Sequence, residues 1–289
     1  MPVNDELGKR MKEYYESIPK TKLMRRTPVA IRLDGKAFHT FTRGFQKPFD
    51  EVLIKSMQET MKYLCENIHG CVLGYTQSDE ITLILVDYKN LNTSAFFDYE
   101  VQKMCSIAAS MATMKFNKAF KHNVAMSYSF DHDGFIVPDV EPPIALAYNK
   151  AIERGAMFDA RVFNIPKEEV TNLIYWRQID ATRNSIQMVG QANFSHKQLD
   201  EKSQNDIQNM LLTERDINWN DFPTHQKRGS CCIKENYFID NRTGEEANIT
   251  VSELWKKEWL SERTRWVIDT EIPIFKDEGR EYIEKLINF

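Results

Sequence analysis

The chain has 289 residues, 42% of them hydrophobic and 28% charged, with a formal net charge of −4. That length accommodates one large domain or two modest ones around a sizeable core, and no run approaches the roughly 20 apolar residues of a membrane span. The negative balance excludes nucleic-acid binding through overall basicity but not a local basic groove, because phosphate attraction depends on where Lys and Arg sit.

Residues 5–17 place Leu7, Met11, Tyr14 and Tyr15 at helical spacing among mixed charges, which predicts an amphipathic N-terminal helix. With Asp5, Glu6, Lys9, Arg10 and Lys12 interspersed, this end has neither a hydrophobic signal core nor an acid-poor transit pattern, so the expected compartment is the cytoplasm. Pro19 and Pro28 punctuate the approach to a β-rich run, Val29 to Leu33, that ends in Asp34-Gly35. An aromatic-rich loop over 36–49 follows. Val52, Leu53, Met57, Met61, Leu64 and Ile68 then recur as on a core-facing helix over 50–68.

Residues 71–86 read as two strands around the acidic bend Gly74-Tyr75-Thr76-Gln77-Ser78-Asp79-Glu80. A helix is predicted over 96–120, where Ala108, Ala109, Ser110 and Ala112 permit close packing, then a strand over 124–128 and a turn over 131–134. Three prolines between 138 and 143 mark a boundary between a catalytic region, 1–140, and a C-terminal region, 141–289; residues 159–163 return a strand to the first sheet. The C-terminal region is predicted mostly helical: 168–188, 196–212, 251–260 and 278–287, with a turn-rich connector over 218–223. This alternation predicts an α/β fold, a sheet with helices packed on one face. The five cysteines, at 65, 71, 105, 231 and 232, are odd in number and form no Cys-x-x-Cys pair, so they read as reduced thiols rather than a disulfide framework or zinc site.

Asp34 and Asp79 each follow a β-like run. Each reads either as part of a solvated turn or as half of a hard oxygen site, fixed on rigid strand ends, for divalent metals that handle phosphate. Lys36, Arg43 and Lys47 lie in the loop after Asp34, where they offset a triphosphate or form a solvated basic loop. His39 lacks a second His or Cys at ligand spacing, and no Walker-type glycine loop is present.

Ile31-Arg32-Leu33-Asp34-Gly35-Lys36-Ala37-Phe38-His39, Lys47-Pro48-Phe49-Asp50, Tyr75-Thr76-Gln77-Ser78-Asp79-Glu80, Phe158-Asp159-Ala160-Arg161 and Trp176-Arg177-Gln178 occur in this order. Together they resemble the tRNA-His guanylyltransferase superfamily over roughly residues 5 to 235. The resemblance implies a polymerase-palm-like, ferredoxin-like catalytic core that adds nucleotides to the 5′ end of tRNA in the 3′-to-5′ direction. It implies two magnesium ions held by Asp34, the Gly35 carbonyl and Asp79, with Glu80 as the adjoining catalytic acid. Lys47, Ser78 and Lys103 match positions associated with nucleoside triphosphates, and Phe38, His39 and Asp50 match the first nucleotide pocket. ATP and GTP or other nucleoside triphosphates are the implied small partners, no membrane is implied, and the family's assemblies imply a homotetramer.

Two departures bear on the branch. Where eukaryotic members carry His-Ile-Asn-Asn-Leu-Tyr-Asn, this chain has Thr182-Arg183-Asn184-Ser185-Ile186-Gln187-Met188, keeping Asn184 alone. With Phe194-Ser195-His196-Lys197 and Asn218-Trp219-Asn220-Asp221 downstream, the chain is similar to the bacterial-type "like" branch, which implies template-dependent repair of 5′-truncated tRNAs rather than dedicated addition of G to tRNA-His. Tyr99 and Glu100 also stand where a basic pair is expected, so triphosphate binding shifts toward Lys47, Lys227 and Arg228. Arg177, Arg183, Asn184, Lys197, Lys227 and Arg228 are the candidate RNA contacts, and Trp176 reads as either a stacking platform or core. A palm-domain nucleotidyl cyclase and a non-catalytic RNA-binding protein are the competing readings.

Overall fold

In the run from Val29 to Asp34, Val29, Ile31 and Leu33 alternate with Ala30, Arg32 and Asp34, and strand geometry sends the two sets to opposite faces. A computed structural model of the chain, described over residues 6–130, 136–247 and 259–288, places this run as the second strand of a six-stranded sheet. In chain order the elements are α1 (Glu6–Met11), β1 (Val29–Gly35), α2 (Phe38–Phe41), α3 (Glu51–Asn67), β2 (Cys71–Gln77), β3 (Glu80–Leu85) and α4 (Val101–Ala125). They continue with β4 (Tyr128–Phe130), β5 (Ile136–Pro138), α5 (Pro142–Arg154), β6 (Phe158–Asn164), α6 (Val170–Asn193), α7 (His196–Leu199), α8 (Gln204–Arg215) and α9 (Thr224–Arg228). The last are β7 (Ser230–Asp240), β8 (Leu260–Asp269) and α10 (Glu281–Ile287). The sheet is antiparallel throughout, in the order β6-β1-β3-β2-β7-β8.

Val29, Ile31 and Leu33, joined by Ile81, Leu83 and Leu85 of β3, face α3 and α4 across a core containing Met57, Met61, Met104, Ala108 and Phe116. Gly74 lets α3 approach closely: a Cβ there would lie 2.5 Å from Cys65 Sγ and 2.8 Å from Met61 Cγ. The opposite face carries Ala30, Leu73, Tyr75 and Ile84, covered by Val170 and Ile174 of α6 and Ile283 and Ile287 of α10. The expected α/β palm-like sheet is thus present, and its second face is covered by the C-terminal region. All five cysteines are free, four buried and Cys105 half-buried.

The strand expected at 159–163 is β6, paired in register with β1. Other elements differ from expectation for local reasons. Pro142 and Pro143, expected to mark a boundary, open α5, since the first helical turn needs no N–H from these positions. The strand expected over 124–128 begins as the end of α4, through Ala125, and continues as a turn over 126–127, with strand pairing starting at Tyr128. The single helix expected over 196–212 is divided into α7 and α8 by two capping boxes, Ser195 with Gln198 and Ser203 with Asp206. β7 and β8, absent from the sequence reading, form a long ribbon on one side of the sheet. The turn expected at 131–134 lies outside the described residues, as does most of the helix expected at 251–260, whose last residue, Leu260, begins β8. Among the described residues no helix is long and apolar enough to cross a membrane.

One polar contact ties α6 to the sheet. Arg177, read from the sequence as an RNA contact, is only 7% exposed; its Nε donates to Glu80 Oε1 at 2.6 Å and its Nη2 to Asp180 Oδ2 at 2.9 Å. That expectation is therefore corrected, because a guanidinium so enclosed has its donors committed within the protein. Arg177→Met leaves the Glu80 carboxylate buried with only Arg32 Nε, at 3.8 Å, as a cation partner. The expected loss is about 3 kcal/mol of stability, and Glu80→Gln in the same chain restores part of it. Urea unfolding of the two single variants and the double variant measures both.

Candidate active site

The antiparallel register sets Asp34 of β1 opposite Glu80 of β3 and opposite Asp159 of β6. Ser78 and Asp79 form the two-residue turn between β2 and β3, with Ser78 at φ +49°, in the left-handed region such hairpins use. The Gly35 N–H donates to the Asp79 carbonyl at 3.1 Å, closing β1 onto this turn. Two separate stretches of sequence thereby bring Asp34, Gly35 and Asp79 to one sheet end. Gly35 also admits Phe38 against the backbone, since a Cβ would fall 2.2 Å from its ring.

A cleft of about 580 Å³ opens beside this turn. Gly35, Phe38, His39, Lys47, Asp50, Ser78 and Asp79 all line it. Phe38 is buried against Phe41, Phe116 and Phe158, while His39 and Lys47 are exposed at the cleft. Asp50 is the N-cap of α3: it accepts from Leu53 N at 2.9 Å, Gln46 N at 3.0 Å and the Tyr148 hydroxyl at 2.8 Å. Burial pushes its carboxyl up from the ordinary value, and these donors oppose the rise. Asp50 thus holds both ends of the short segment 46–53 that shapes one wall.

Other expected residues lie elsewhere. Glu80 is 7% exposed, bound by Arg177 and absent from the residues that line the cleft. Lys36 is exposed but does not line the cleft. Lys103 sits in the first turn of α4, its Nζ 4.9 Å from the Phe97 ring centroid. Thr113, ten residues further along, accepts from the Phe158 N–H, and Phe158 pairs with Gly35. At 1.5 Å per residue, Lys103 therefore lies about 15 Å back along the helix, away from the cleft. Lys103, expected at a position associated with nucleoside triphosphates, is not among the residues that line this cleft.

Lys227 is buried, donating to the Asn220 carbonyl and lying 5.5 Å from the Trp219 ring centroid, so the structure also corrects its expected RNA contact. Arg183, Asn184 and Lys197 are exposed, and Arg228 is half-buried. Trp176 is 52% exposed, with the Arg177 and Arg32 guanidinium carbons 4.5 and 5.8 Å from its ring centroid, which removes it from the core. The sequence reading missed Met188 and Gln191 of α6, which form the far wall of the cleft, and Arg161, which lies 3.9 Å from both Asp34 and Asp159. Met188 and Arg161 belong to motifs already singled out, yet nothing in their spacing says that they face Asp34 or Asp79.

The electrostatics suit a bound cation. Burial pushes the Asp79 carboxyl up from its ordinary value; its own N–H and the Ser78 hydroxyl, 3.0 Å away, oppose the rise, and the charge of Asp34 adds to it. Among the described residues no group of three His, Cys, Asp or Glu side chains is gathered for a metal. Two carboxylates with a nearby carbonyl nevertheless fit magnesium, which keeps several waters and takes substrate phosphate oxygens as its other ligands.

The sequence profile of the tRNAHis guanylyltransferase family matches residues 8–166. A bacterial tRNA(His) guanylyltransferase-like protein solved in complex with ATP is 39% identical, covers 97% of this chain and 98% of its own, and superposes with a TM-score of 0.74. The corresponding complex with GTP is 37% identical, with a TM-score of 0.72 over 99% of this chain and 100% of that one. Uncharacterized protein R259 of Acanthamoeba polyphaga mimivirus is 29% identical over 253 residues, 83% of this chain and 80% of that protein. With this match over more than half its length and a palm-like sheet that ends in paired carboxylates, the chain belongs to the tRNAHis guanylyltransferase family of nucleotidyltransferases.

Proposed function

We propose that this protein extends tRNA at its 5′ end in the 3′-to-5′ direction, repairing truncated ends by pairing each incoming nucleotide with the opposite strand. The observation that carries the reading is that Asp34, Gly35 and Asp79 come together at one sheet end, beside a nucleotide-sized cleft lined by Gly35, Asp79, His39, Lys47 and Ser78. The bacterial relative's complexes with ATP and GTP support a nucleoside triphosphate as the occupant. The altered run Thr182 to Met188 and the likeness to that bacterial protein favour repair over strict addition of G at position −1 of tRNA-His.

In this reading the 5′-monophosphate of the tRNA attacks the α-phosphorus of ATP, forming an adenylylated end and releasing pyrophosphate. The 3′-hydroxyl of an incoming nucleoside triphosphate then attacks the 5′ phosphorus with loss of AMP, and pyrophosphate is removed from the new end. Asp34, the Gly35 carbonyl and Asp79 would hold Mg²⁺, two ions by resemblance, which when bound lower the barrier to attack and to departure of the leaving group. Lys47 offsets phosphate charge, His39 lines the cleft with a ring N–H to offer phosphate oxygens, the side chain of Ser78 steadies Asp79, and Asp50 keeps the wall of the cleft in place. RNA contacts fall to exposed Arg183, Asn184 and Lys197 and to half-buried Arg228. A homotetramer, in which one tRNA touches more than one copy, completes the proposal.

The test is nucleotide addition to tRNA transcripts with and without their 5′-terminal nucleotide, comparing tRNA-His with others. The reading requires addition to truncated, non-histidine tRNAs. Product formed from labelled nucleotide without RNA would instead identify a cyclase. Asp34→Asn and Asp79→Asn are expected to remain folded and lose addition by at least roughly a hundredfold. Lys47→Ala weakens nucleotide affinity, whereas Lys103→Ala leaves it unchanged; equilibrium binding of labelled GTP distinguishes the two.

Asp79 also makes a pH-dependent contribution. Its folded-state pKa is raised, so the folded chain holds this proton to higher pH than the unfolded chain. Ionised Asp79 therefore costs stability above its folded-state pKa, and the cost vanishes below the unfolded value of about 4. Asp79→Asn should accordingly be more stable than the parent at neutral pH, with the difference closing as pH falls toward about 4. Mg²⁺ should raise the melting temperature of the parent more than that of the variant. Thermal unfolding across pH, with and without Mg²⁺, measures both effects.

A further inference from the structure

On β1, Val29, Ile31 and Leu33 enter the core beneath α3 and α4, so alternation sends Arg32 and Asp34 to the opposite face, the one that α6 covers at Ala30. Toward the end of the strand that cover stops. Asp34 is half-buried, and Arg161, which pairs with Arg32 across β1 and β6, is exposed. Gly35 and Asp79 line the nucleotide-sized cleft but Asp34 does not. The acidic end of the sheet therefore has the cleft on one side and, at Asp34, a second surface shared by α6 and β6.

The largest side chain on that surface is Trp176, half exposed although two guanidinium groups lie within 6 Å of its ring centroid. Both cations are held toward buried Glu80, Arg177 Nε at 2.6 Å and Arg32 Nε at 3.8 Å, so they back the ring from the protein side and leave half its area to solvent. Arg32 and Asp34 lie two residues apart on one strand face, about 7 Å by strand rise. Arg161 Nη2 is 3.9 Å from both Asp34 Oδ2 and Asp159 Oδ1, where its charge offsets two carboxylates that would otherwise repel an RNA strand. Along α6, Trp176, Ile179 and Arg183 are exposed at spacings of three and four residues, so they share one side of the helix. Arg183 has no ion-pair partner among the described residues, and it stands about 10 Å from Trp176 by helix rise.

We infer that Trp176 is a stacking platform for an unpaired base of the RNA, with Arg183 taking a neighbouring phosphate of the same strand. The inference rests on the proposed reading of the protein as a tRNA-extending enzyme and adds the side from which RNA reaches the carboxylates: the triphosphate occupies the cleft, and the RNA strand crosses the exposed side of α6. An open indole stacks on a base of any identity, and a guanidinium with free donors takes phosphate oxygens, so a nucleic-acid strand is the ligand that fits both groups.

The test uses the full chain with Trp176→Leu, which keeps apolar bulk over Arg177 without a flat ring, and Trp176→Phe, which keeps a ring; circular dichroism and urea midpoint check the fold. Affinity is measured for labelled GTP, for a single-stranded RNA oligonucleotide, and for tRNA transcripts with an abasic nucleotide at the 5′ end or in the unpaired 3′ tail. The Leu variant should bind both kinds of RNA roughly five- to a hundredfold more weakly with GTP affinity unchanged, and the Phe variant should keep most of the RNA affinity. An abasic position that weakens the parent but not the Leu variant identifies the stacked base, either the 5′-terminal one or one in the tail. Weakening that no abasic position shares overturns the inference, since a ring that merely supports Arg177 acts without a base. Unchanged RNA affinity in the folded Leu variant also overturns it, and a changed oligomeric state by light scattering then makes the patch a contact between copies. If the Leu variant does not fold, tryptophan fluorescence decides: RNA should quench the parent more than Trp176→Phe, and equal quenching sinks the platform. A parent that binds the oligonucleotide but no tRNA counts against the tRNA reading and leaves the oligonucleotide to decide the platform.

Discussion

Asp34 lies opposite Glu80 in the antiparallel pairing of β1 with β3, and the Gly35 N–H closes that end of the ladder on the Asp79 carbonyl. Side chains alternate along a strand with a period of two, so a slip of one residue would turn Asp34 and Arg32 into the α3–α4 core and expel Ile31 and Leu33. Burial of Val29, Ile31 and Leu33, all fully enclosed, makes such a slip prohibitive. The same apolar contacts that stabilise the sheet therefore fix where two carboxylates meet, and their mutual repulsion is held in place by a core that does not yield. A bound cation would relieve that repulsion, which connects the packing of the strands to the chemistry proposed for their ends.

From this register the second wall of the cleft follows. Glu80 faces the side of the sheet that α6 covers, where Arg177 meets it at 2.6 Å and Arg32 approaches it at 3.8 Å. A buried pair of this kind adds little net stability compared with an apolar substitute, but losing one partner strands the other charge. Its consequence is positional: with the middle of α6 held against β3, the next turns carry Met188 and Gln191 to the rim of the cleft. The C-terminal region thus contributes to both sheet and cleft. β6 pairs with β1, β7 pairs with β2, and the charged ribbon of β7 and β8 extends beyond the sheet, held in part by Glu235 opposite Arg265.

Elements built around strong periodicity were legible. The apolar spacing from Val52 to Ile68 corresponds to α3, and the two β-rich runs around Asp79 correspond to β2 and β3. Where the chain uses polar strands, the pattern was silent. In β7 and β8, Lys234, Glu235, Asn236 and residues 262–265 are exposed, so no hydrophobic alternation announces them, and each strand's partner lies more than twenty residues away along most of the ribbon. The caps that divide α7 from α8 were present as Ser195 to Gln198 and Ser203 to Asp206, but helical spacing on both sides concealed the break.

By itself the sequence determined which carboxylates end strands, that a core-facing helix follows from residue 50, and that an ordered set of motifs belongs to one family of phosphate chemistry. These are local properties, written in alternation, helical spacing and composition. Tertiary structure decided which side chains are accessible: Arg177 and Lys227 are enclosed, Trp176 is not, and Lys103 is displaced along α4. The physical reason is that exposure and proximity depend on how elements pack across the sheet. One sequence spacing can place a cation in a cleft or in a buried ion pair, and only the packing distinguishes them.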